Sequence, residues 1–207
     1  MNGKIIFNAI KNIHTTINLH KDEIEKLDQD IGDGDHIFNI LRGLEELINL
    51  KDELIDTSTD QLFKKLGMKI MTTVGGSSGA LFATLLIGMS KKYNPNLNDL
   101  NNLSEMFSEG VEAMKKRGKA DIGEKTMLDV LIPVSKSLLN NTNEKNINKV
   151  ADTISLVAKE GMLSTRDIIA TKGRASFLGE RAKGHIDPGA RSSQLAIEAV
   201  CNQFINK

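Results

Sequence analysis

The sequence has few of the residues that mark several broad classes of protein. It contains one cysteine, Cys201, and no tryptophan among its 207 residues. A single cysteine excludes an internal disulfide framework and is typical of a reducing compartment. Lysine plus arginine number 27 and aspartate plus glutamate number 27, so no net charge favours binding to nucleic acid or to an anionic membrane.

Long apolar runs are also absent. The sequence has no stretch of about 18 apolar residues, and its first residues hold no apolar segment of signal-peptide length. We therefore expect a cytoplasmic protein that neither spans a membrane nor binds nucleic acid. The length is typical of one domain with a sizeable core, so we expect a single domain over residues 1–207.

Apolar residues recur at helical spacing along almost the whole chain. The first stripe runs from Ile6 to Leu27, with His20 in the same stripe, which predicts one helix there. Ser58–Gln61 has the form of a capping box, and Asp187-Pro188 supplies an N-cap and a proline at the first helical position. No segment alternates apolar and polar residues for long enough to predict a strand. The sequence therefore predicts an all-α domain of about eight helices.

The densest group of carboxylates lies between the first two predicted helices. Residues 28–36 contain four aspartates and two glycines. Carboxylates this close repel one another unless a cation lies between them, and hard oxygen ligands on a tight loop suit Mg²⁺ or Ca²⁺. A polar turn rich in Asp and Gly gives the same pattern without a metal. From this loop alone both interpretations stay open.

Three further loops carry groups that could bind an anion. Val74–Ala80 places small residues before a helix, where backbone N–H groups attract phosphate, although a helix break that allows close packing has the same composition. Residues 118–126 resemble a P-loop, but Glu124 precedes the lysine and no strand comes before it, so we reject that motif. Residues 172–189 contain arginines and lysines that could pair with phosphate or lie in a solvated loop.

Taken in chain order, these loops resemble the nucleotide-binding L subunits of dihydroxyacetone kinases. The motifs that carry the resemblance are Ile31–His36, Val74–Gly79, Arg117–Ala120, Gly123–Asp129, Gly173–Arg181 and Gly184–Ala190. They span most of the chain, and the last two are long and specific. The resemblance implies a closed barrel of eight antiparallel helices with the nucleotide at one end.

The resemblance also implies which residues bind the nucleotide and its metal ions. Asp28, Asp33 and Asp35 would hold two Mg²⁺ ions that bridge the phosphates of ADP or ATP, whereas Asp30 matches no ligand position. The residues expected to line the nucleotide site are His36, Ile37, Phe38, Asn39, Ser77, Ser78, Gly118, Met127, Arg174, Asp187, Pro188 and Gly189. Ile37 stands where the family usually has glycine, and a β-branched side chain there would crowd the phosphates unless it faces the core.

Finally, the resemblance implies a subunit that works with partner chains. In the family, a K subunit binds dihydroxyacetone covalently, the L subunit carries bound ADP, and a phosphocarrier M subunit of the sugar phosphotransferase system recharges that ADP to ATP. We expect this role, with catalysis mostly by positioning and charge neutralisation and no catalytic side chain assigned.

Three alternatives stay open. They are a triose or tetrose kinase subunit that uses exchangeable ATP, a regulatory nucleotide-binding protein, and a Ca²⁺-binding helical module. The last leaves the arginine-containing loop unexplained. The oligomeric state is also open, and a homodimer is compatible with the sequence.

Overall fold

The computed structural model describes residues 1–205, and all regular structure in that part of the chain is helical. The α-helices are α1 Gly3–Leu19, α2 Lys21–Ile31, α3 His36–Asn49, α4 Lys51–Leu54, α5 Thr59–Thr73, α6 Gly76–Ser90, α7 Asp99–Gly118, α8 Leu128–Asn140, α9 Ile147–Ser164 and α10 Pro188–Ile205. A 3₁₀ segment covers Arg174–Ala182. The prediction of an all-α fold is confirmed. Asn206 and Lys207, the last two residues of the predicted domain, lie outside the described residues.

Eight of these helices pack in a closed ring. Each of α1, α3, α5, α6, α7, α8, α9 and α10 packs against the next, and α10 packs back against α1. The ring surrounds a cavity of about 410 Å³ that is lined by apolar side chains such as Phe63, Leu66 and Phe107. This order of packing agrees with the expected barrel of about eight helices. Helix α2 lies outside the ring, against α3, α10 and the 3₁₀ segment.

The helices form where apolar residues repeat on one face, and that face is buried. In α5, for example, Leu62, Leu66 and Ile70 are all nearly inaccessible to solvent. Burying a side chain of this size contributes about 1.5–3 kcal/mol of transfer free energy. Within residues 1–205, no helix combines the length and the apolar character needed to cross a lipid bilayer.

The first predicted helix is in fact two helices that meet at His20. This residue has φ −108° and ψ 16°, and its N–H donates to the Ile17 carbonyl at 3.1 Å. The His20 Nδ1 atom lies 2.9 Å from the Thr16 carbonyl oxygen, so the ring and the backbone both interrupt the helical pattern. The prediction of one helix is wrong because the apolar stripe continues across a break that contains neither glycine nor proline.

The two predicted helix caps have different outcomes. The Ala190 N–H donates to Asp187 Oδ2 at 2.7 Å, which confirms Asp187 as the N-cap of α10. Ser58 precedes α5 as predicted, but its side chain does not cap the helix. The Ser58 hydroxyl instead bonds the side chain of Asp60. The capping box is therefore not formed.

Candidate functional site

Three carboxylates between α2 and α3 meet at one point. Carboxylate oxygens of Asp28, Asp33 and Asp35 all lie within 4.8 Å of one another. Asp28 is buried near the end of α2, whereas Asp33 and Asp35 are exposed. Because negative charges this close repel, and because all the donors are hard oxygens, the group fits a divalent cation such as Mg²⁺. The structure thus brings the three predicted metal ligands together, and their binding of Mg²⁺ stays a prediction.

Backbone contacts fix the position of Asp28. The Gly32 N–H donates to the Asp28 carbonyl at 2.6 Å, and the His36 N–H donates to Asp28 Oδ2 at 3.0 Å. A β-carbon on Gly32 would lie only 1.9 Å from Asp28 Oδ1, so only glycine fits against this carboxylate. Asp28 is therefore tied to the first turn of α3, where a negative charge is favourable.

The imidazole of His36 connects α3 to the start of α10. Its Nε2 atom lies 3.0 Å from Ser192 Oγ, and the ring also hydrogen-bonds the backbone of Pro188. Burial lowers the pKa of His36, although the nearby carboxylates oppose this shift. The ring is therefore neutral at pH 7 and holds the two helix N-termini together.

The next residues of α3 face in different directions. Ile37 is buried against Ile17, Ile24 and Leu195. Its side chain therefore faces the core and leaves the turn beside the acidic loop uncrowded. The Phe38 side chain is 61 % exposed.

The N-terminus of α6 lies beside α3. Gly75 precedes this helix and no side chain caps it, so its first N–H groups have no partner within the helix. Gly76 has φ 73°, in the left-handed region that favours glycine. The position of a β-carbon on Gly76 lies 3.8 Å from Asn39 Nδ2 and 4.0 Å from Ser78 Oγ. The predicted residues Asn39, Ser77 and Ser78 are therefore brought to one corner.

The N-terminus of α10 forms another wall of the same region. A β-carbon on Gly189 would lie 3.4 Å from Met127 Cε, so these two predicted site residues are in contact distance. Burial raises the pKa of Asp187 to about 7, and the negative charges of Asp129 and Asp28 act in the same direction. Asp187 at the N-cap of α10 therefore lies close enough to Asp28 of the acidic loop for their charges to interact.

Two predicted residues remain, Gly118 and Arg174. Gly118 is the last residue of α7. A β-carbon on Gly118 would lie 3.2 Å from the side chain of Leu81. Leu81 lies on α6, one turn after Ser77. Arg174 begins the 3₁₀ segment and forms an ion pair with Asp33. Arg174 thus contacts the acidic loop directly, whereas Gly118 is connected to Ser77 only through Leu81 on α6. The binding of nucleotide by the predicted residues stays a prediction.

A buried lysine that the sequence analysis did not single out holds the loop between α7 and α8. Lys125 is 1 % exposed, and its Nζ donates to the backbone carbonyls of Thr165, Arg166 and His185. Asp129 accepts hydrogen bonds from two N–H groups of the same loop. The motif that contains both residues was visible in the sequence. The burial of Lys125 was not, because its three partners lie at least 40 residues away.

Comparisons with known proteins find a matching family and similar relatives. The model of the DAK2 domain family matches residues 30–202. The chain is 41 % identical over 181 residues to "PEP-dependent dihydroxyacetone kinase 1, ADP-binding subunit DhaL" from Listeria innocua, covering 87 % of this chain and 86 % of that protein. It is 39 % identical over 181 residues to "PTS-dependent dihydroxyacetone kinase, ADP-binding subunit DhaL" from Lactococcus lactis, covering 87 % of each chain.

A solved structure has the same fold. The dihydroxyacetone kinase from C. freundii, in complex with AMP-PNP and Mg²⁺, superimposes with a TM-score of 0.74 at 25 % sequence identity. The match covers 97 % of this chain and 34 % of that one, so the present chain spans about a third of the larger kinase.

Proposed function

The chain belongs to the DAK2 domain family, and on that basis we propose that it is the ADP-binding subunit of a multisubunit dihydroxyacetone kinase. The observation that carries the proposal is the meeting of the carboxylates of Asp28, Asp33 and Asp35 within 4.8 Å of one another. They lie beside the N-terminus of α3, and relatives that match over most of their length are named as ADP-binding subunits.

In the proposed site, carboxylates bind the metal ions and N–H groups bind the phosphates. Asp28, Asp33 and Asp35 would hold two Mg²⁺ ions, which when bound neutralise charge between these carboxylates and the phosphates. The N–H groups at the start of α6, around Ser77, and the guanidinium of Arg174 would bind phosphate oxygens. Each of these groups acts by positioning and by charge, and none is assigned a proton transfer.

We propose that the acceptor and the phosphoryl donor are held on partner chains. A K subunit would hold dihydroxyacetone, and a phosphocarrier M subunit of the phosphotransferase system would recharge the bound ADP to ATP. The wording "PEP-dependent" and "PTS-dependent" in the names of the relatives supports this division. The same proposal places the protein in the cytoplasm, and a homodimer stays a prediction.

The experiment that tests the proposal is mass analysis of the nucleotide released from purified, desalted protein. We expect one ADP per chain, because a cofactor that remains bound through turnover must dissociate slowly. An Asp33→Asn variant purified in parallel should release little or none. An empty site in a wild-type protein that binds Mg·ATP in solution would favour the exchangeable-ATP kinase instead. Failure to bind any nucleotide with Mg²⁺ would contradict the proposal and favour the Ca²⁺-binding module.

A further inference from the structure

Arg42 connects α3 to the uncapped N-terminus of α6. Its Nη2 atom donates a hydrogen bond to Asn39 Oδ1 at 2.8 Å. The same nitrogen lies 3.8 Å from the position of a β-carbon on Gly75, the residue that precedes α6. The guanidinium is therefore held beside the corner that Asn39, Gly76 and Ser78 form.

The charge of Arg42 is not compensated locally. Within residues 1–205, no carboxylate lies within ion-pair distance of it, and its side chain is exposed. Asn39, which orients the guanidinium, is only 8 % exposed. The hydrogen bond from Arg42 to Asn39 therefore holds a positively charged guanidinium near the start of α6.

This corner therefore combines two independent features that attract anions. The first N–H groups of α6 carry partial positive charge and lack intrahelical partners. The guanidinium of Arg42 adds a full charge and N–H donors in a planar fork that matches phosphate oxygens. Arg174 differs because it already pairs with Asp33. Arg42 thus offers donors whose only partner in the described chain is the neutral amide of Asn39.

We propose that Arg42 is a phosphate-binding residue of the nucleotide site, with Asn39 as the side chain that orients it. The inference rests on the proposed function, and it adds a phosphate contact that the predicted site residues do not include. The two arginines then have separate tasks. Arg174 approaches from the 3₁₀ segment beside the acidic loop, and Arg42 approaches from α3 beside the start of α6.

Isothermal titration calorimetry with AMP, ADP and AMP-PNP in the presence of Mg²⁺ tests the proposal. We expect Arg42→Ala to weaken binding of ADP and AMP-PNP by about tenfold or more, since a charge-assisted contact to phosphate is lost. Binding of AMP should change by less than about threefold, since the proposed contact is to the outer phosphates, which AMP lacks. Arg42→Lys should recover part of the affinity. Lys64→Ala removes an exposed positive charge from α5 and should leave all three affinities unchanged.

Each outcome decides the assignment. If Arg42→Ala binds ADP and AMP-PNP as tightly as wild type, Arg42 is not a phosphate ligand and the proposed function stands. If the loss is equal for all three nucleotides, Arg42 does not contact the outer phosphates, and the assignment is wrong. If the alanine variant does not fold, the lysine variant decides by the same comparison. If wild-type protein binds none of the nucleotides, the proposed function fails and this assignment fails with it.

Discussion

Arg174 Nη2 lies 2.8 Å from Asp33 Oδ2, so an arginine predicted to bind phosphate pairs with a carboxylate predicted to bind metal. The two side chains are 72 % and 37 % exposed, and an ion pair of this kind contributes only about 0–1 kcal/mol to stability. The pair is therefore easily exchanged. If Mg²⁺ and a nucleotide bind as proposed, each member of the pair gains a new partner of opposite charge.

Replacing Arg174 with lysine tests this role. Lysine keeps the positive charge but loses the planar fork that binds two phosphate oxygens at once. We expect Arg174→Lys to slow phosphoryl transfer by about 10–100-fold in an assay reconstituted with the K and M subunits, with an unchanged melting temperature. Arg181 is an exposed arginine in the same 3₁₀ segment. Arg181→Lys is therefore the matched control, and it should leave the transfer rate unchanged. If Arg174→Lys and wild type transferred the phosphoryl group at equal rates, Arg174 would belong to a solvated loop and would not bind phosphate.

Neutralising a carboxylate of the triad should abolish Mg²⁺-dependent nucleotide binding. Asp33→Asn and Asp35→Asn keep the shape of the side chain but lose the charge that opposes Mg²⁺. Calorimetry with Mg·ADP measures the effect, and circular dichroism should show an unchanged helical fold. Asp30→Asn is the control, because its carboxylate pairs with His185 at 3.4 Å and is not part of the triad. If either variant bound Mg·ADP as tightly as wild type, the assignment of these aspartates as metal ligands would be wrong.

The sequence was most informative where local patterns determine structure. Periodic apolar residues predicted the helices, and Asp187 before Pro188 predicted the start of α10. The acidic loop could be found because its predicted metal ligands lie within eight positions of one another. Contacts between distant segments were not predictable in this way. Arg42 is an ordinary polar position on α3, and its approach to Gly75 depends on how α3 packs beside α6.

Lys125 should be essential for the structure of the loop that leads to Met127. Lys125→Met keeps most of the side-chain volume but leaves three backbone carbonyls without their charged donor. We expect a loss of about 2–4 kcal/mol in the free energy of unfolding, measured with urea at pH 7. Lys119→Met is a close control, because Lys119 also has a positive φ and lies in the same loop, but its side chain is exposed. Similar losses of unfolding free energy for both variants would mean that the contacts of the Lys125 ammonium do not stabilise the loop.

The raised pKa of Asp187 gives a pH dependence of stability with a definite sign. Its pKa is about 7 in the folded protein, against 3.8 for the ordinary group, because burial disfavours the charged form. Between these values the folded state binds more protons than the unfolded state, so this group makes the protein less stable as pH rises. In metal-free protein, Asp187→Asn should remove the effect while still accepting the Ala190 N–H bond.

Urea unfolding of Asp187→Asn and wild type at pH 5 and pH 8 measures this difference. We expect the variant to be more stable than wild type by about 1–3 kcal/mol at pH 8, and the advantage to shrink toward pH 5. Asp56→Asn, at an exposed position, should show no such change between the two pH values. A variant that is less stable than wild type at pH 8 would show that the charged carboxylate is favourable where it lies.

Removing the nucleotide and Mg²⁺ should lower the melting temperature more than any substitution at the surface. The proposed ligands come from separate parts of the chain, around residues 28–39, 75–79 and 172–189, and ligand binding ties these parts together. A ligand present at about a thousand times its dissociation constant adds roughly 4 kcal/mol to the native state. For a domain of this size each kcal/mol shifts the midpoint by about 2–4 °C, so complete removal should lower it by roughly 8–16 °C.

The measurement is thermal unfolding before and after treatment with a chelator and a desalting step, with absorbance confirming that the nucleotide is gone. Mg²⁺ added alone should restore only a small part of the shift, because the carboxylates without phosphates hold the metal weakly. The apolar core does not depend on the ligand, so the helical signal should persist throughout. A shift below about 2 °C on complete removal would mean that the chain has no tight nucleotide site. The Ca²⁺-binding module would then explain the acidic loop better than a kinase subunit does.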